Sequence, residues 1–169
     1  LWLLRLLEKQ KESNWVWRIA GDIGNKEKDP YVNRFLNAIE KSPVRDRIFL
    51  LGILDRENCR DEMREADLFL FPSILESFGM VCMEAAACCL PVIANRVGGH
   101  HTIINHGETG YLCSSFDKDC WNECIKELLS SPEKRNRLSS HLRETRKQFL
   151  TWEDSATLFY KRIKEIDKE

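Results

Sequence analysis

Glu76 and Glu84 stand eight positions apart in the stretch Phe71-Pro-Ser-Ile-Leu-Glu-Ser-Phe-Gly-Met-Val-Cys-Met-Glu84. A carboxylate accepts two hydroxyl hydrogen bonds at once, which is the chemistry that holds a vicinal diol. Between the two acids, Ser77-Phe78-Gly79 reads as a turn that opens a helix rich in small residues. The first amides of such a helix lack intrahelical partners and carry about half a positive charge, so they attract anions. A helix counted from Phe78 puts Glu84 roughly 9 Å along its axis, at 1.5 Å per residue, and leaves Glu76 before the start. Carboxylates facing a phosphate are repelled, so their useful place is at its two ends. The pattern predicts a diphosphate flanked by hydroxylated groups, with a ribose at one end and a hexose at the other. Gly79 is expected to let the diphosphate approach the backbone by lacking a Cβ. Ser77 is expected either to cap the helix or to face the ligand. On spacing alone, two solvated surface charges are the plainer reading. Ala85-Ala-Ala-Cys-Cys89 shifts the balance, because a charge on a tightly packed face needs a partner.

These groups need a scaffold. Residues 1–12 read as a helix, and Trp15 to Ala20 as a strand feeding the turn Gly21-Asp-Ile-Gly24. Tyr31 to Lys41 has helical spacing, and Pro43 ends it. Strands are predicted at Ile48–Leu51, Leu68–Phe71, Pro91–Ala94 and Gly110–Cys113, with helices at Asn58–Glu65 and Gly79–Cys88. After Asp117 helices dominate. The last is striped by Trp152, Ala156, Phe159, Tyr160 and Ile163. Strands alternating with helices predict an α/β fold: a Rossmann-like parallel sheet with helices on both faces and a C-terminal helical segment. Such sheets bind ligands at the carboxyl ends of their strands. Gly21, Gly52, the Pro72–Gly79 loop and the Asn95–Gly99 loop all belong on that edge.

With 169 residues, 43% apolar and 31% charged, the chain suits one soluble domain over residues 1–169. A net charge of -1 argues against a protein devoted to nucleic acid. Seven cysteines, none in a Cys-x-x-Cys pair, predict a reduced, cytoplasmic setting in which cysteine is a small apolar residue. The absence of any Asn-x-Ser/Thr acceptor agrees with that compartment. Leu1 to Leu7 is too short for a secretion signal or a membrane span. It reads as a helix whose preceding strand is absent.

Three motifs occur in order: Phe71-Pro-Ser-x-x-Glu-Ser-Phe-Gly-x-x-x-x-Glu-Ala-x-Ala-x-x-x-Pro-Val-Ile-Ala94, Val97-Gly-Gly99 and Gly107-x-Thr-Gly-Tyr-Leu112. They resemble the family-4 retaining glycosyltransferases of the GT-B fold. Gly21, the Phe49-Leu-Leu-Gly52 strand end and the Trp152 helix with Tyr160 match as well. The resemblance implies the donor-binding, C-terminal half of a two-domain, metal-independent enzyme. No cofactor is implied, because the nucleoside-diphosphate sugar is the substrate. By the resemblance Glu84 holds the donor ribose, and Glu76 is the catalytic-site acid facing the donor sugar. Phe78 and Gly79 offer amides to sugar hydroxyls, and Met80 and Val81 offer theirs to the diphosphate. Ser77 belongs to the same turn and Gly21 borders the phosphates. Leu51, Gly52 and Ile53 hold the base through their backbone. The acceptor belongs to an N-terminal domain outside these residues, and so does any membrane contact.

The sequence departs from the family in three ways. Cys89 replaces a glycine that takes a left-handed helix cap, which predicts a cost of about 1 kcal/mol. His101-Thr102 replaces Pro-Glu after the paired glycines. The upstream Arg and Lys that neutralise the diphosphate cannot be placed, so the isolated chain is expected to be catalytically silent. These departures leave open a nucleotide-sugar binding module without chemistry. A metal site built from His100, His101, His106 and Cys113 lacks recurring zinc spacing, and the histidines are expected to be exposed loop residues. The basic run Lys134, Arg135, Arg137, Arg143, Arg146 and Lys147, interleaved with Glu133 and Glu144, reads as a solvated helix face. Trp15, Trp17 and Trp121 are expected in the core.

Overall fold

The structure is a computed structural model that describes residues 1–24, 28–145, 147 and 151–166. Five strands alternate with helices: α1 (Trp2–Lys9), β1 (Trp17–Ala20), α2 (Pro30–Glu40), β2 (Ile48–Gly52), α3 (Arg56–Glu65), β3 (Phe69–Phe71), α4 (Met80–Ala87), β4 (Val92–Asn95), α5 (His100–Ile103) and β5 (Gly110–Cys113). The chain continues through α6 (Lys118–Ser130), α7 (Pro132–Thr145) and α8 (Trp152–Ile166). Every strand pair is parallel, and the pairs fall into two sheets, β1-β2 and β3-β4-β5.

Aspartates missed as start signals set three helices. Asp29 accepts from the amides of Tyr31 and Val32 ahead of α2. Asp55 accepts from Asn58 at 2.8 Å, which is why α3 starts two residues earlier than expected. Asp117 accepts from Cys120 at 3.0 Å. Each side chain satisfies a helix N–H that otherwise has no partner.

β4 explains the layering. Its four residues are all buried, as a strand covered on both faces must be. Ile93 packs with Leu3, Leu4, Leu7, Ile48, Trp121, Ile125 and Leu128 in one core. Val92 and Ala94 face the other core, with Met63, Cys82, Ala85, Ile103 and Leu142. Helices therefore cover both faces, as predicted. The first core also touches β1 and β2, so the two sheets share it although no ladder joins them among the described residues. Trp15 and Trp121 lie in this core and Trp17 packs against it, also as predicted.

Two expectations are corrected, and one helix is left uncovered by the described elements. Cys113 and Cys120 form a disulfide, so these two are not free apolar thiols. The spacing hid this, because Cys113 ends β5 and Cys120 faces it only once α6 turns back. The α8 stripe does not pack: Leu158, Phe159, Tyr160 and Ile163 are exposed. The 3.6-residue period made α8 a helix, but no described element covers its apolar face. His100, expected in an exposed loop, is fully buried, because α5 begins at it and turns its ring inward. In the basic run, Arg146 lies outside the described residues, as does the Trp152 side chain. Lys134 pairs with Glu127, Arg135 folds back to pair with Asp67 and to donate to the Leu128 carbonyl, and Arg137 and Arg143 are solvated as expected.

Candidate functional site

The loop between β3 and α4 is cast against the segment between β4 and α5. The Gly99 amide donates to the Ser77 carbonyl at 3.1 Å. A Cβ on Gly98 would collide with the Glu76 carbonyl, and one on Gly99 with the Phe78 backbone. Paired glycines are thus required by close approach of two backbones. His101 and Thr102 fasten the same turn: His101 Nδ1 lies 3.1 Å from the Gly98 carbonyl, and Thr102 Oγ1 donates to the Gly99 carbonyl at 2.7 Å.

α4 begins at Met80 rather than at Phe78, and its cap is Gly79, held in the left-handed region at φ 89°. No side chain caps it, so Ser77 does not play that part; it is exposed. Gly79 meets a steric demand besides the expected one. A Cβ there would sit 2.5 Å from His100 Cδ2, so the imidazole fills the space below the turn. The amides of Gly79, Met80 and Val81 have no protein acceptor among the described residues. Three unpartnered N–H groups at a helix N-terminus form an anion site.

The acids flank these amides. Glu76 is half-buried and precedes the turn. Glu84 is exposed, roughly 6 Å along the axis from Met80 at 1.5 Å per residue. Neither carboxylate has an ion pair or a side-chain hydrogen bond among the described residues, so both can take hydroxyl donors. The expectation that Glu84 needs a partner is corrected: small residues pack α4 on Cys82, Ala85 and Ala86, and Glu84 falls on the open side. The charges are felt locally. Burial, and then the Glu76 carboxylate, push the Cys82 thiol up to about 12. Burial, then Glu84 and Glu62, raise the Cys59 thiol. Raised in this way, the Cys82 and Cys59 thiols stay protonated near neutral pH and are not nucleophiles there.

Gly21 follows β1 and donates its amide to the Gly52 carbonyl at 2.8 Å, so the ends of β1 and β2 are tied together. A cavity of about 240 Å³ opens beside it, lined by Ile19, Gly21, Asp22, Tyr31, Val32 and Phe35. Gly52 is left-handed at φ 69°, Leu51 is half-buried and Ile53 is 77% exposed. In the second sheet β3 and β4 run in register from Phe69↔Val92 to Phe71↔Ala94, so the Glu76 loop and the paired glycines leave from one edge. Two residues of this edge carried no signal in the sequence. Asn95 and His100 are fully buried and bind the loops to each other.

The histidines and Cys113, set aside as metal ligands on their spacing, do not form a metal-ligand group among the described residues. Instead the sulfurs of Cys113, Cys120 and Cys124 lie within 4.8 Å of one another, with the first two joined.

A parallel α/β domain with an unpartnered helix N-terminus between two acids at its carboxyl edge has the Rossmann-like architecture of the GT-B fold. The comparisons with known proteins agree: residues 1–145 match the family of glycosyl transferases group 1, and the chain belongs to it. It is 36% identical over 152 residues to the D-inositol 3-phosphate glycosyltransferase of Corynebacterium efficiens, covering 90% of this chain and 35% of that protein. It is 36% identical over 110 residues to the N-acetyl-alpha-D-glucosaminyl L-malate synthase of Bacillus anthracis, covering 65% of this chain and 28% of that protein. The chain therefore spans about a third of the length of these relatives. Its fold matches sucrose-phosphate synthase from Thermosynechococcus elongatus with a TM-score of 0.84 at 24% identity, over 99% of this chain and 42% of that one. It matches Anabaena HepE in complex with UDP-glucose with a TM-score of 0.78 at 21% identity, over 99% of this chain and 44% of that one.

Proposed function

We propose that this chain is the donor-binding half of a glycosyltransferase that moves a hexose from a nucleoside-diphosphate sugar to an acceptor, with retention of anomeric configuration and without a metal ion. The observation that carries the proposal is the row of free amides at Gly79, Met80 and Val81, with unpaired carboxylates before and after it. Free N–H groups suit a diphosphate. Carboxylates displaced to either side suit diols rather than the phosphates themselves. Glu84 takes the ribose and Glu76 faces the sugar at the reacting centre. Phe78 and Gly79 serve sugar hydroxyls, and Met80 and Val81 the diphosphate. Ser77 lies in the same turn. Gly21 borders the phosphates, and the backbone at Leu51, Gly52 and Ile53 serves the base. The matching of HepE, whose structure holds UDP-glucose, supports this ligand class. Acceptor binding and any membrane contact belong to regions outside these residues, and nucleic acid has no part. The proposal includes a cytoplasmic or cytosolic-face setting; the Cys113–Cys120 disulfide weighs against it, and trapping the thiols in intact cells tests it.

The test of donor binding is a thermal-shift panel of nucleoside diphosphates and their sugars. A ligand at 100 times its dissociation constant adds roughly 2.7 kcal/mol. One nucleotide series is expected to raise the melting temperature, and Glu84→Ala to remove most of that rise. No shift with any member refutes the donor-binding reading. A shift that survives Glu84→Ala refutes the ribose role.

A further inference from the structure

Asn95 and His100 have no part in the ligand chemistry described above, yet the Glu76 loop is built on them. Asn95 ends β4 and is fully buried. Its Nδ2 donates to the carbonyls of Pro72 at 3.1 Å and Ser73 at 3.0 Å. Its Oδ1 accepts from Trp121 Nε1 at 2.9 Å. Its own carbonyl lies 2.7 Å from His100 Nδ1. A carbonyl only accepts, so Nδ1 carries a proton and donates it. Nε2 of the same ring is buried without a partner. The ring also packs on Phe71, with centroids 5.4 Å apart. Its Cδ2–Nε2 edge lies where a side chain of residue 79 would be.

The loop is thus held at both ends by one short segment. The β3–β4 ladder stops at Phe71↔Ala94. The next two carbonyls, Pro72 and Ser73, have left the ladder, and both are taken by Asn95. At the other end the His100 ring supports the left-handed Gly79 without bonding to its amide, which stays free for a ligand. A buried polar group commonly fixes one arrangement where apolar packing allows several.

We propose that Asn95 and His100 are positioning residues for Glu76: Asn95 sets where the loop leaves β3, and His100 sets where it enters α4. Glu76 is thereby held at a fixed offset from the α4 amides. This inference rests on the proposed function, because the quantity it controls is the placement of Glu76 against the transferred sugar.

The experiment uses the full-length protein that carries this chain, with the nucleotide sugar selected by the thermal-shift panel. His100→Phe keeps an aromatic ring and loses the Nδ1–H. Asn95→Asp keeps the shape and loses the donors to Pro72 and Ser73. Each is expected to lower kcat at least tenfold and to change the dissociation constant of the nucleoside diphosphate less than threefold. His100→Asn puts an N–H near the place of Nδ1–H but empties the space beneath Gly79, and is expected to recover kcat in part, above the value of His100→Phe. If Asn95→Asp fails to fold, Trp121→Phe, which releases Oδ1 while keeping an aromatic ring in the core, is expected to lower kcat with diphosphate affinity intact. Unchanged kcat in His100→Phe and in Asn95→Asp, or in Trp121→Phe where Asn95→Asp does not fold, overturns the proposal. So does a loss of kcat, diphosphate affinity and melting temperature together, which is the mark of a purely structural role. If the unsubstituted protein binds no nucleoside diphosphate, the proposed function falls and this inference with it; binding and transfer without any effect of the variants overturns the positioning role alone.

Discussion

Cys89 follows α4 in the left-handed region, at φ 59°. Its amide donates to the Ala86 carbonyl at 2.9 Å, and the Leu90 amide to the Ala85 carbonyl at 2.9 Å. These are the two bonds of a Schellman cap. The left-handed conformation penalises any residue with a Cβ. Cys89→Gly is therefore expected to raise stability by about 1 kcal/mol, measured as a higher midpoint in urea, while Cys89→Ala, which keeps the Cβ, gives no such gain. This cap was legible in the sequence, because cysteine takes a place where a glycine ordinarily closes the helix. Glu84 was less legible. Its neighbours Ala85 and Ala86 are buried as expected, but which side of the helix Glu84 takes depends on where α3 and β4 lie. His100 was opaque: a histidine before His101 in a polar stretch gives no sign that its ring replaces a side chain at residue 79.

At the scale of elements, the strands and helices followed from apolar runs and their punctuation, and errors fell at the boundaries. α3 and α4 shifted by one or two residues because Asp55 and Gly79 act as caps, a matter of local hydrogen bonds that periodicity does not report. The α8 stripe was correct as a helical period, and a period alone does not bury a face, since that happens only where another element meets it. The paired glycines were recognised as a break, whereas their reason is the contact between two loops that are distant in sequence. That contact makes a sharp test. Gly98→Ala places a methyl on the Glu76 carbonyl, and Gly98 has φ 50°. The loop must move, so the variant is expected to lose at least tenfold in nucleotide-sugar turnover in the full-length protein. Gly107→Ala is the control: Gly107 also has positive φ, but a Cβ there meets nothing within 4 Å, so stability falls and turnover per folded molecule holds. Equal turnover in the two variants would falsify the loop-contact account.

The described residues form two cores on either side of β4, and each contains one deeply buried thiol. Cys82 belongs to the core beneath α4, and burial followed by the Glu76 charge pushes it up to about 12. Cys124 belongs to the core beneath α6, and burial pushes it up to about 11, with Glu123 next in size. In the unfolded chain both titrate near 9. A thiol whose folded pKa is raised favours folding fully below the unfolded value, and that share is lost as pH rises towards the folded value. Stability is therefore expected to hold up to about pH 8 and to fall between about pH 9 and pH 11. The slope reaches about 1.4 kcal/mol per pH unit for each thiol. Urea midpoints at about pH 8 and pH 10.5 measure the loss. Cys82→Ala is expected to lower stability at the lower pH, because it removes buried volume, and to flatten the alkaline slope by up to one thiol's share. A slope unchanged by Cys82→Ala would mean that the alkaline loss comes from other groups, and that the core beneath the Glu76 loop opens to solvent before its thiol ionises.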